Sequence, residues 1–134
     1  MKDILERLKT VLKELEQEYG EISLFALFLR EEAFGKWDLL ISASWLDSRA
    51  LDSYEKVAKK VQKCLNETEI VQLARIVILD INDPGVVFLQ DLYSVPNGSF
   101  VEVSNCGPLT ERFGFVIKRA YVLRCVKGNS SALS

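Results

Sequence analysis

The sequence predicts one α+β domain over residues 1–127, a mixed β-sheet of about five strands covered by two long helices and one short helix. Three observations carry this prediction. The chain has 134 residues, 49% hydrophobic and 27% charged, the size and composition of one globular domain. Two segments repeat apolar residues every three or four positions, whereas others are short apolar runs or strict alternations. A strand hairpin followed by a strand–helix–strand unit also requires both antiparallel and parallel neighbours, hence a mixed sheet.

The first helix follows from Ile4, Leu5, Leu8, Val11, Leu12, Leu15 and Tyr19, which form one stripe with charges off it. Asp3 and Glu6 resemble a capping box, and Gly20 supplies a left-handed stop. Residues 24–29, LFALFL, are apolar at both parities, as in a strand covered on both faces. After the polar connection REEAFGK, residues 37–45 alternate: Trp37, Leu39, Ile41, Ala43 and Trp45 point one way, Asp38, Leu40, Ser42 and Ser44 the other. About seven residues between these two strands imply an antiparallel hairpin. The next helix has a stripe of Leu51, Tyr54, Val57, Val61 and Leu65. Asp47 is its expected N-cap, and Leu46 with Leu51 its expected hydrophobic staple.

Residues 71–80, VQLARIVILD, read as a third strand. Asp83 and Pro84 then open a short helix reaching about Val95. PNG turns the chain into SFVEVS, a fourth strand, and NCGP turns it again. Residues 113–126 form a long or bent fifth strand, and 128–134 a polar, flexible tail.

Composition restricts the chemistry. There is no histidine, which removes Ser-His-Asp and Cys-His catalysis and the usual zinc sites. Carboxylate–magnesium chemistry, lysine chemistry or no catalysis remain. Cys64, Cys106 and Cys125 form no C-x-x-C pair, and an odd count fits reduced thiols in a cytoplasmic protein. No apolar run approaches the about 20 residues of a membrane span, and the N-terminus lacks the form of a secretion signal, so a cytoplasmic protein without membrane attachment is expected. Residues 1–80 hold 15 acids and 12 bases, a net −3. Residues 81–134 hold 4 acids and 5 bases, a net +1, so a strong nucleic-acid footprint is absent and nucleic acid is not the expected partner, although the basic last strand keeps anion or nucleic-acid binding as a weaker alternative. Lys118, Arg119 and Arg124 in the last strand are a candidate anion patch, against the blander reading that they blunt a strand edge.

The stretch GKWDLLISASWLD, residues 35–47, concentrates polar groups around an apolar run. A leading helix ending in Tyr-Gly, a buried strand, a short charged connection and then WDLLIS resembles the minimal nucleotidyltransferase domains over residues 1–80. The resemblance implies their fold. It also implies a magnesium site in which Asp38 matches the second aspartate of the family's pair and Asp80 a third, later one, with Arg30 or Lys36 on phosphate. The chain departs from the family pattern where Lys36 replaces the first aspartate and Leu29-Arg30 the expected Gly-Ser. An ammonium there repels a divalent ion, so the resemblance implies a shared fold without the metal site.

The residues themselves support simpler roles. Asp38 beside Lys36 is expected to be solvated or paired with a neighbouring lysine or arginine such as Arg30, and Trp37 and Trp45 to be buried rather than to stack on bases. Small Ser42 and Ser44 either line a pocket with Asp38 or let a helix approach. Glu31 and Glu32 read as a charged turn. The leading expectation is therefore a non-catalytic module with no cofactor, acting as a homo-oligomer, a dimer, or on a protein partner. Its apolar strands exceed what one small core readily covers. The alternative is a nucleotidyltransferase-like, magnesium-dependent nucleotide binder using Asp38 and Asp80.

Overall fold

The computed structural model describes residues 2–96 and 98–127, and the tail expected at 128–134 lies outside the described residues. Helix α1 (Lys2–Tyr19) leads into β1 (Leu24–Arg30), a 3-10 turn (Glu31–Ala33) and β2 (Trp37–Ser42). There follow α2 (Leu51–Cys64), α3 (Glu67–Ile70), β3 (Leu73–Ile78), α4 (Pro84–Leu92), β4 (Val101–Glu102), α5 (Gly107–Phe113) and β5 (Ile117–Cys125). The strands form one mixed sheet in the order β3-β2-β1-β5-β4. β1 is antiparallel to β2 and β5, β4 is antiparallel to β5, and β2 and β3 run parallel. The predicted α+β class and hairpin are present.

The alternation of each strand builds two cores on opposite sides of the sheet. On one side Phe25 and Leu27 of β1, Trp37, Leu39 and Ile41 of β2, and Tyr121 and Leu123 of β5 pack under the apolar stripe of α1 and Val57 and Val61 of α2. On the other, Leu24, Ala26, Phe28, Leu40, Ala120, Val122 and Cys125 pack under Val86 and Leu89 of α4 and Leu109 of α5. β1 contributes to both, which is why LFALFL is apolar at both parities.

Several expectations are corrected. α2 starts at Leu51 behind Ala50, which offers no side-chain cap, because Asp47 Oδ1 is engaged locally by the Arg49 N–H at 2.9 Å. Leu51 is 72% exposed, so it closes no staple on the buried Leu46, and Tyr54, expected in the buried stripe, is 44% exposed. β2 ends at Ser42. Trp45 lies beyond it in a turn, where its indole N–H donates to the carbonyls of Gly20 (3.0 Å) and Glu21 (3.1 Å) and its ring stacks on Tyr19. The α4 cap is as expected, with Asp83 accepting from the Gly85 N–H, but the helix stops at Leu92. Of SFVEVS, Val101–Glu102 form the strand, with one further bond to β5 from the Val103 N–H to the Ala120 carbonyl at 2.8 Å.

Two short helices replace expected connections. α3 is held by a reciprocal capping box between Asn66 and Glu69, and α5 rises from what reads as the NCGP turn. Pro108 lies in the first turn of α5, and Gly114, at φ 81°, ends it. Too few apolar positions fall in seven residues for periodicity to reveal a helix.

Candidate functional site

Asp38 lies at the start of β2 on the α4/α5 side, level with Phe28 of β1 and Arg75 of β3. Arg30 ends β1 two residues beyond Phe28, on the same face, so both arginines converge on the carboxylate. Arg30 donates from Nε to Oδ2 and from Nη2 to Oδ1 (3.3 Å), and Arg75 Nε stands 3.3 Å from Oδ1. The carboxylate is 1% exposed. Both guanidinium groups lie against the Phe115 ring, at 5.7 and 5.9 Å, and Glu32 adds a 3.3 Å contact to Arg30 from the solvent side. The hydrogen bond to Asp38 holds the Arg30 guanidinium above its already high ordinary pKa. Both Asp38 oxygens are engaged by cations, so the cluster is a neutralised buried ion pair with no oxygen directed at a ligand.

The other candidate acid is elsewhere. Because β2 and β3 are parallel and Asp38 is level with Arg75, Asp80 lies five positions further along (75 to 80), about 16 Å away at ~3.3 Å per residue. There it accepts hydrogen bonds from Ser48, Oγ at 3.1 Å and N–H at 3.4 Å. One divalent ion cannot bridge carboxylates at this separation, so the pair does not fit the magnesium site that the resemblance implies. Among the described residues no group of three or more His, Cys, Asp or Glu could hold a metal ion.

Of the two expected phosphate ligands, Arg30 is committed to Asp38, and Lys36 is exposed beyond the turn. The candidate anion patch is likewise dispersed along β5. Arg119 bonds Glu102 (3.1 Å) and the Tyr121 hydroxyl. Arg124 bonds Glu16 (3.2 Å), Glu21 (3.1 Å) and the Ile22 carbonyl (2.8 Å), and Lys118 makes no such contact among the described residues. Ser42 is fully buried, as a small residue under a covering layer, and Ser44 is exposed, so the two do not line one pocket with Asp38.

The conspicuous surface lies along β3. This strand closes one edge of the sheet, and Leu73, Ile76, Val77 and Ile78, with Leu79 after them, are only half-buried. Its one charge, Arg75, is turned toward Asp38. Beside it runs an open, largely apolar groove of about 160 Å³ between α2 and β3, lined by Tyr54, Ala58, Val61, Leu73 and Ile76 together with Gln62 and Arg75. At the same end of the sheet, Phe34 stands 95% exposed on the β1–β2 turn. The roles of Arg75 and Phe34 were not expected from the sequence. The signals were a lone charge inside an apolar strand and an aromatic next to glycine in a turn. Neither reveals a partner without the strand order.

No family model, curated protein or solved structure matches this chain.

Proposed function

We propose that the chain acts by association rather than by chemistry, with a second copy of itself as the first partner, through the β3 edge and the adjoining face of α2. One observation carries this reading: the two sheet edges are built differently. β4 ends one edge after two residues, beside the Arg119–Glu102 ion pair, and such short, charged edges resist pairing. β3 presents LARIVI, in which Leu73, Ile76, Val77 and Ile78 are half-buried and the one charge, the half-exposed Arg75, is paired with Asp38, and Tyr54 and Val71 add exposed apolar surface near it.

Sedimentation velocity tests the proposal. Over about 1–200 μM, the range in which a micromolar dimer dissociates, the wild-type chain is expected to shift from monomer to dimer. Ala74→Lys, which puts a charge on the exposed edge, is expected to remain monomeric. A wild-type chain that stays monomeric throughout would overturn the reading.

The competing proposal, a magnesium-dependent nucleotide binder using Asp38 and Asp80, draws its support from the element order of residues 1–80 alone, because the two carboxylates stand about 16 Å apart and would have to act separately. Calorimetric titration with magnesium and nucleotide tests it, and binding heat that disappears in Asp80→Asn would favour it over association.

A further inference from the structure

The register of β3 decides which of its backbone groups are unused. The Leu79 N–H donates to the Ile41 carbonyl at 2.9 Å, so Leu79 directs its backbone groups at β2. Both groups of a strand residue point to the same side and successive residues alternate. Val77 and Arg75 therefore also face β2, and Ile76 and Ile78 turn N–H and C=O to the open edge. Toward the start of the strand the ladder is interrupted: Trp37 is level with Leu73 but Asp38 with Arg75, which leaves Ala74 as the extra residue of a bulge. A bulge bends the strand and ends regular pairing. The span open to another strand is thus 75–79, and its centre is Val77.

This span is its own complement. About a twofold axis through Val77, an antiparallel second copy places Ile76 opposite Ile78, and the two exchange both backbone bonds. Arg75 stands opposite Leu79, so its charge meets no like charge and its guanidinium stays on Asp38. On the other face the half-buried Ile76 and Ile78 of the two copies meet beneath α2. The side of α2 that lines the groove to β3 carries Tyr54, Ala58 and Gln62, four residues apart and without a charge, whereas Lys60 and Lys63 point away to Glu14 of α1.

These features favour a second copy over a peptide strand. A copy brings its own uncharged α2 stripe to cover the isoleucines, which a bare strand leaves wet. A peptide would also carry a free edge of its own, whereas two copies joined at β3 leave only the short, charged β4 edges outside. Resting on the self-association reading, we propose that two copies pair β3 to β3, antiparallel about Val77, in one continuous sheet of five strands from each copy with the two α2 helices side by side, and that the blunt β4 edges stop the assembly at two.

The test is cysteine scanning of the edge in the full chain, with Cys64 and Cys106 replaced by serine and the buried Cys125 left in place. Val77→Cys falls in a non-hydrogen-bonded pair on the axis, where a Cα separation of about 4.5 Å suits a disulfide. Ile76→Cys and Ile78→Cys each lie diagonally from their own counterparts, at about 7–8 Å, and are expected to cross-link at least about tenfold more slowly. Two measurements do not depend on those variants. Between dilute and dimer-forming concentrations of the wild type, amide exchange should slow at Ile76 and Ile78 and stay constant at Val77. Tyr54→Lys, at an exposed site of the α2 stripe, should raise the dimer Kd by at least about tenfold with an unchanged melting midpoint of the dilute chain. Cross-links that favour Ile76 or Ile78, amides indifferent to concentration, a Kd unmoved by Tyr54→Lys, or particles larger than a dimer overturn this pairing and leave self-association standing. A monomeric wild type overturns both, and its binding of a LARIVI-bearing peptide would assign the edge to a foreign strand instead.

Discussion

Asp38 and Ser42 lie on the same strand and face, both buried, yet they respond to burial in opposite ways. Asp38 is held by two guanidinium groups, whereas Ser42 Oγ has no hydrogen-bond partner within the described structure. Removing the Asp38 charge leaves Arg30 and Arg75 facing a neutral group in a site that water barely reaches. Because an uncompensated buried charge costs more than a lost contact, Asp38→Asn is expected to lower stability by about 3 kcal/mol. Half-exposure of Arg75 keeps the loss toward the lower end of the range for buried pairs. Ser42→Ala deletes an orphaned hydroxyl and is expected to raise stability by about 1 kcal/mol. Urea denaturation at constant m-value measures both, and two shifts of the same sign would show that one of these environments has been misassigned.

At the scale of elements, short-range signals compete with packing. Asp83–Pro84 begins α4 where the capping chemistry says it should, because a cap depends on residues two or three apart. Gly85 is less readable. Alanine there would gain helix propensity of up to about 1 kcal/mol, but its Cβ would lie 2.6 Å from Cζ of Phe113 in α5. That ring is held edge-on against Phe28 and cannot swing away freely. The overlap decides the sign, and Gly85→Ala is expected to cost a net 1–3 kcal/mol, read as a lower thermal midpoint. An unchanged or raised midpoint would mean that α4 and α5 can separate without loss.

At the scale of the whole molecule, the two cores share β1, β2 and β5, so neither can be lost while the other survives. Trp37 and Trp45 report on the α1/α2 side, and Cys125 on the α4/α5 side. Burial pushes the Cys125 thiol up to about 11, so near pH 8 about one molecule in a thousand carries its thiolate, and labelling awaits unfolding. Tryptophan fluorescence and Cys125 labelling are therefore expected to give one coincident urea transition. Separate midpoints would divide the molecule into two folding units. The raised pKa also sets the sign of the alkaline response: this burial stabilises the fold fully below pH 9, the ordinary thiol value, and its contribution is lost as pH rises toward 11.

What the sequence by itself determined are the features written in neighbouring residues. The amphipathic period made α1, uniform apolarity made β1 the covered central strand, and Trp37–Ser42 formed the second arm of a hairpin because alternation and connection length are local quantities. Arg30, eight residues away, was legible as a partner for Asp38 for the same reason, but the sequence left solvation equally open, and it is the covering by α4 and α5 that buries the carboxylate. Its second partner, Arg75, was not: it reaches the carboxylate through the parallel register of β2 and β3, and register across a helical crossover leaves no mark in the residues between. Tertiary structure alone decided that the α2 stripe would be only partly covered at Tyr54, that β3 would close an edge, and that Phe34 would face solvent. Each depends on which surfaces remain once every other element has been packed, a property of the assembled chain and not of any segment of it.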